Sequence, residues 1–230
     1  MNPVKHKPFP PGPIAIGLII LSLLSILVAI QHPEPASRAD ATTAAIVNIA
    51  AQSRDIFGVH ATLIAIMAFT AIGVAILNAR LPRSGVLSFT AACLLSLSML
   101  SMSLAALVNG FAVPLWAASY PMPLTEATDA AARAILYFAS SLNRVFADCA
   151  VLLSGFAMML FGAHMIRQSR LFQVVGAFGL IAGCALLAGL IGGAFVLDYR
   201  GFNLANATFY IWLAAFSACF LFNRSPPAAR

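Results

Sequence analysis

Long apolar runs alternate with short polar ones along this chain. Six stretches stand out, at residues 14–30, 59–77, 86–108, 145–166, 171–197 and 205–222. Each is near the roughly 20 residues a helix needs to cross a bilayer core. Helices satisfy their own backbone groups, which lipid cannot do. Runs such as 91–108 do not alternate polar and apolar positions, which argues against a β-barrel. The pattern predicts an all-α, polytopic membrane protein: a six-transmembrane-helix bundle making one domain of residues 1–230.

Connections on one side are short, at 78–85 and 167–170. Two on the other side are long, at 31–58 and 109–144, and each opens with prolines and then becomes alanine-rich, at 41–51 and 130–140. These segments predict one or two amphipathic helices lying on the outer face. Shifting the chain by 89 positions brings Ala41 onto Ala130, Ile46 onto Ile135, Phe57 onto Phe146 and Gly73 onto Gly162. The offset suggests an internal parallel repeat, 13–83 and 86–170, since it preserves orientation across the membrane.

Charge orients the bundle. Threaded alternately from an inside N-terminus, the stretches place all the acids, Glu34, Asp40, Asp55, Glu126, Asp129, Asp148 and Asp198, outside or at the outer rim. Lys5, Lys7, Arg80, Arg83, Arg167, Arg170, Arg224 and Arg230 fall inside, and Arg38, Arg54, Arg133, Arg144 and Arg200 outside. Basic residues are retained on the cytoplasmic side, so both termini are expected inside the cell. Charged residues are only 9% of the chain against 61% hydrophobic, whereas a soluble domain carries about 25% charged residues. The net charge of +6 sits in pairs at helix ends, which is a topology signal and excludes a nucleic-acid-binding stripe. Lys5 and Lys7 before an apolar run resemble a signal peptide, but the run exceeds the usual h-region of about 7–15 residues. It is read as a retained anchor; cleavage would leave five spans in the same orientation.

Packing devices are visible in the fifth stretch. Gly179 and Gly183 are spaced like Gly189 and Gly193, and small residues at that spacing let membrane helices approach closely. In the third stretch Ser98 and Ser101 share a face with Ala105 and Asn109, while Ser96 and Ser103 point away. Back-bonding to the carbonyl four residues earlier accounts for such hydroxyls without a polar pathway. Cys93, Cys149, Cys184 and Cys219 fall in separate stretches without a CxxC pair, which reads as small apolar packing residues.

Intramembrane ionisable groups are the candidates for chemistry. Asp148 lies about one turn inside the fourth stretch, and Arg144 shares its face four residues earlier. Gly155, Met159 and Gly162 continue that face. His60, Asn109 and Asn206 fall near the same depth, so a ligand- or ion-binding site of Asp148, Arg144, His60, Asn109 and Asn206 at the outer mouth is geometrically possible. The bland alternatives are a local ion pair stabilised by the helix dipole, a hydrogen-bonded rim histidine, and Asn143 and Asn206 acting as N-caps. No catalytic residue, metal site or cofactor is expected. His60 and His164 lie at opposite ends of the bundle and cannot share a haem iron; His32 and His60 alone make a weak metal case. No HExxH, GxSxG or Walker motif appears.

Three stretches carry a resemblance: 40–60 (DATTAAIVNIAAQSRDIFGVH), 142–166 (LNRVFADCAVLLSGFAMMLFGAHMI) and the following RQSRLFQVVG. Together they resemble a bacterial integral-membrane family known as domain of unknown function 4386. The resemblance implies a fold and a membrane location, and no activity. The expected role is non-enzymatic, either supporting a membrane complex or binding a small ligand or ion at the outer mouth. The alternatives are a small secondary transporter and a membrane-embedded enzyme using Asp148 and His60. The expected partners are the lipid bilayer and a membrane protein or second copy of the chain, with no nucleic acid.

Overall fold

The computed structural model describes residues 11–30, 42–81, 85–120, 124–193 and 199–222. Every regular element among them is helical: α1 (Pro11–Ile30), α2 (Thr42–Ala51), α3 (Ser53–Asn78), α4 (Val86–Leu107), a π-helical turn (Val108–Ala112), α5 (Val113–Ser119), α6 (Glu126–Met165), α7 (Arg170–Ile191) and α8 (Tyr199–Phe222). Six continuous helical segments are long and apolar enough to cross a membrane, with α4, the π turn and α5 counting as one. Neighbours in sequence pack in space, α1 on α3, α3 on α4, α4 on α6, α6 on α7 and α7 on α8, and α8 returns to α1. These contacts close a ring around a core that includes Leu18, Leu95, Met158, Phe161, Trp212 and Phe216. The outward surface is also apolar: Phe69, Val86, Ile181 and Ile191 are more than half exposed. Water would not tolerate so wide a patch; lipid does, and the fold is that of a multi-pass membrane protein.

The helices differ in length in a way that shapes one end. α1, α7 and α8 have 20, 22 and 24 residues, or about 30–36 Å, enough for a bilayer core of about 30 Å. α3 has 26 residues, the α4–α5 segment 34 and α6 40, which is about 39, 51 and 60 Å. Half of the ring therefore projects past the other half. At the projecting end α2 packs on α5, α6 and α3. Its buried and half-buried positions, 42, 45, 46, 49 and 50, form a single face. That face joins Ala117 and Ala132 in a second, small core around Ile46, bordered by Trp116, Tyr120 and Leu136. The Tyr120 hydroxyl donates to the Thr128 carbonyl oxygen at 2.7 Å. Thr125 caps α6, its hydroxyl accepting from the Thr128 amide at 3.3 Å while the Thr125 amide donates to the Thr128 hydroxyl at 2.7 Å.

Several boundaries differ from the pattern-based expectation. Residues 130–140 do not form a separate helix on the surface; they are the early turns of α6, continuous with the membrane-crossing part. No Gly or Pro interrupts 126–154, so nothing in the backbone forces a break. Asn143 and Asn206 lie inside α6 and α8 and cap neither. The third stretch does not stop at Val108, because the helix continues through the π turn. Pro114 has no N–H to give to Gly110, and its ring would crowd that carbonyl. A π turn just before it, closed by the Val113 amide on the Val108 carbonyl, absorbs the defect without ending the helix. The fifth helix ends at Ile191, and residues 194–197 lie outside the described residues. So do Lys5, Lys7, His32, Glu34, Arg38, Asp40, Arg83, Asp198, Arg224 and Arg230.

The offset of 89 positions maps α2 and α3 onto 131–167. The first pair is bent at Gln52, where the helix is interrupted although the Gln52 amide still reaches the Asn48 carbonyl at 3.0 Å; the second stretch falls mostly within the unbroken α6.

Candidate functional site at the capped end

Of the polar residues expected to converge, His60 and Asn109 lie apart from Arg144 and Asp148. Arg144 and Asp148 are one helical turn apart on α6. The Arg144 Nε lies 3.9 Å from Asp148 Oδ2, with the side chains 58% and 37% exposed. That is an ion pair without a short hydrogen bond, of the kind worth about 0.3–0.5 kcal/mol on a helix surface. Asp148 Oδ1 is shielded and has no hydrogen-bond partner. Among the described residues no group from another helix reaches this carboxylate. Its stripe on α6 continues through Gly155 and Gly162, which face α7: a Cβ on Gly155 would meet Leu187 at 3.1 Å, and one on Gly162 would meet the Gly176 carbonyl oxygen at 2.6 Å.

His60 lies elsewhere, buried in α3, where its Nδ1–H donates to the Ile56 carbonyl oxygen at 2.8 Å. It presses on the π turn, so that a Cβ at Gly110 would collide with the imidazole. Asn109 is half-buried within that turn. α4 gives the separation from Asp148. Near Asp148, α6 meets α4 at Ser101, whose hydroxyl donates to the Phe146 carbonyl oxygen at 2.8 Å. His60 meets the same chain at Gly110, nine residues on, or about 13 Å along the axis. Asp148 and His60 are thus not one acid–base pair.

Asn206 borders a crevice of about 10 Å³ between α4, α6 and α8, shared with Ser98, Ser154, Met102 and Phe209 and with Ala150 and Val151 of the turn after Asp148. It has room for about one water molecule. Ser98 donates to the Ala150 carbonyl oxygen at 2.8 Å and Ser154 to that of Val151 at 3.0 Å. The serines of α4 divide by face: Ser98 and Ser101 bond across to α6, whereas Ser96 and Ser103 bond back to Ala92 and Met99.

Among the glycines singled out for packing, Gly183 lies 2.7 Å from the Gly155 carbonyl oxygen, measured from an added Cβ, and Gly179 would meet the Trp212 indole nitrogen at 2.5 Å. Gly189 is half-buried. Gly193 has a different role: it takes a φ of 67° in the turn after α7, with open space around it. A second α6–α7 contact, Gly162 on Gly176, escaped the spacing argument because its members are on different helices. Cys93, Cys149 and Cys184 are exposed on the bundle surface rather than packed inside; only Cys219 is buried.

One concavity was not foreseen from the sequence. A groove of about 220 Å³ runs between the N-terminal turn of α3 and the π turn with α5, lined by Ser53, Arg54, Phe57, Gly110, Phe111, Pro114, Leu115 and Ala118. Phe57 and Phe111 meet edge to face, with centroids 4.3 Å apart. Arg54 is exposed at its rim and makes no hydrogen bond or ion pair with a described residue. The available signals were Asn109–Gly110 followed by Pro114, which mark a distorted helix, and an arginine one turn from Phe57. Nothing in sequence spacing links residues 54 and 115.

The groove is smaller than the roughly 300–1,000 Å³ of a drug-sized site. It offers apolar contact and one cation, without a nucleophile–base pair. Among the described residues no three His, Cys, Asp or Glu side chains gather to hold a metal ion. Compared with known protein families, curated proteins and solved structures, the chain finds no match.

Proposed function

We propose that this chain is a bacterial inner-membrane protein with both termini in the cytoplasm, non-enzymatic, that binds a small ligand at its outer mouth. The resemblance to domain of unknown function 4386 is consistent with the location and adds no activity. The observation that carries the reading is the groove between α3 and α5, at the end where Asp55, Glu126 and Asp129 also lie. It replaces the Asp148-centred cluster as the site. The enzyme alternative loses its support with the separation of Asp148 from His60. The transporter alternative gains nothing from the second concavity, which has room for about one water. A thermal-shift screen of the purified protein against ions, lipids and small metabolites tests the reading. A stabilising ligand should lose its effect in Ala118→Phe, which fills the groove. An undiminished shift in that variant places binding elsewhere and rejects the proposal.

A further inference from the structure

The proposed outer-mouth site has a geometry that specifies a class of ligand. Resting on that reading, we infer that the groove between α3 and α5 holds an anionic phospholipid of the outer leaflet, its acyl chain against Phe57, Phe111 and Leu115 and its phosphate at Arg54.

Depth is the first argument. Arg54 and Arg80 bracket α3 and are 26 residues apart in the sequence, or about 39 Å along a helix. The hydrocarbon core is about 30 Å thick, and about 40–45 Å with both headgroup regions. With Arg80 at one headgroup level, Arg54 reaches the other. The apolar walls, Phe57 one turn inward and Phe111 packed edge to face on it, then lie where a chain leaves its headgroup.

Charge is the second. Arg54 is the cation at the groove's rim, exposed and without a partner among the described residues. Asp55 follows it but is rotated about 100° around the helix. Arg133 is committed to Asp129 at 2.8 Å and Arg144 faces Asp148, so neither is as free as Arg54 to take an anion. A guanidinium presents a donor fork that matches phosphate oxygens.

Shape is the third. About 220 Å³ is below an enclosed drug-sized pocket, and an open apolar groove suits one flexible chain. The occupant is a lipid rather than a soluble anion because the groove wall offers the headgroup one cation and the chain several apolar side chains.

Native mass spectrometry of the full-length protein, with phosphatidylglycerol and phosphatidylethanolamine of identical chains in competition, tests this. Melting temperature is followed in parallel. The parent should favour phosphatidylglycerol several-fold, because both lipids offer the phosphate but the ammonium of phosphatidylethanolamine repels the guanidinium. Arg54→Gln should bring the two lipids to near parity, and Arg144→Gln should leave the preference intact. Ala118→Phe should abolish retention of both, and inorganic phosphate alone should not stabilise the parent. If Ala118→Phe abolishes retention while Arg54→Gln leaves the preference unchanged, the outer mouth still binds and the anionic-lipid inference falls. Equal losses in Arg54→Gln and Arg144→Gln reduce the preference to general charge and overturn it. Stabilisation by phosphate through Arg54 overturns the lipid in favour of a soluble anion. A dimer that disappears in Ala118→Phe overturns it in favour of a second copy of the chain.

Discussion

Gly183 shows how a single position governs the bundle. A Cβ added there would lie 2.7 Å from the Gly155 carbonyl oxygen and 3.2 Å from the Met159 backbone nitrogen. Backbone cannot step aside as a flexible side chain can, so a larger residue must part α6 from α7. Overpacking typically costs about 1–3 kcal/mol, and Gly183→Leu should lower the melting temperature in detergent by roughly 5–10 °C. Gly58→Leu is the control: nothing lies within 4 Å of its added Cβ, and leucine favours a helix over glycine. Equal melting of both variants would show that the close approach contributes nothing. The spacing of Gly179 and Gly183 was visible in the sequence, since membrane helices use small residues where they touch. Their partners Gly155 and Trp212 were not, because contact between helices depends on register, which neither helix encodes alone. The serines of α4 were half legible for the same reason. Their two faces followed from 3.6-residue periodicity, whereas the choice of Phe146 and Ala150 as acceptors depended on where α6 lies. Asp148 misled because an acid within an apolar run suggests convergence, and depth along one helix says nothing about which residue of a neighbour stands opposite.

At the scale of elements, the cap of α2, α5 and the first turns of α6 depends on a few ties. Asp129 accepts a hydrogen bond from Arg133 at 2.8 Å, and that bond, aided by the nearby Thr42 hydroxyl, holds its carboxyl below the ordinary aspartate range. A depressed folded-state pKa adds stability above the unfolded value, and that stability is lost as pH falls through the folded one. The Asp129 tie between α2 and α6 is therefore complete at neutral pH and weakens only below the usual carboxylate range. Hydrogen exchange of α2 amides, corrected for intrinsic rates, should be a few-fold faster in Asp129→Asn than in the parent at neutral pH. The difference should vanish in acid; a gap that persists there would assign the effect to shape rather than charge. The cap was partly legible in the sequence. Alanine-rich runs announced helices at 41–51 and 130–140, and the structure has helix at both. Which one is free-standing turned on Gln52, where the backbone departs from helical values at φ −93° and ψ 4°, and on the lack of any breaker in α6. The π turn was hidden because Asn109, Gly110 and Pro114 read as the end of a helix. A wider turn instead carries the chain past the proline, and the groove follows from that detour.

At the scale of the molecule, a closed ring of neighbouring spans leaves few ways to sit in a bilayer, and charge selects between the two orientations. The uncapped end presents Arg80, Arg167 and Arg170 with no described acid, while Asp55, Glu126 and Asp129 lie at the capped end and Asp148 near the middle of α6. Translocating the arginine-bearing turns is disfavoured, and acids have little influence on orientation. Those turns are short, so their charges act on topology directly, and in the proposed orientation the projecting ends of α3, α5 and α6 form the face that crosses. Helix length adds an independent constraint. α1, α7 and α8 barely exceed the bilayer core, so the surplus of α6, about 25 Å beyond a 30 Å core and a few residues of interface, must emerge on one side only. Alkaline phosphatase, which is active only after export, distinguishes the two orientations. A fusion after Glu126 should be active and one after Arg83 inactive. The same pair with Arg80, Arg83, Arg167 and Arg170 replaced by Gln should lose much of its contrast, since the bias that holds those turns inside would be gone. Activity after Arg83 in the parent would invert the bundle, turn the groove and Arg54 toward the cytoplasm, and make the inner leaflet the source of any lipid bound there.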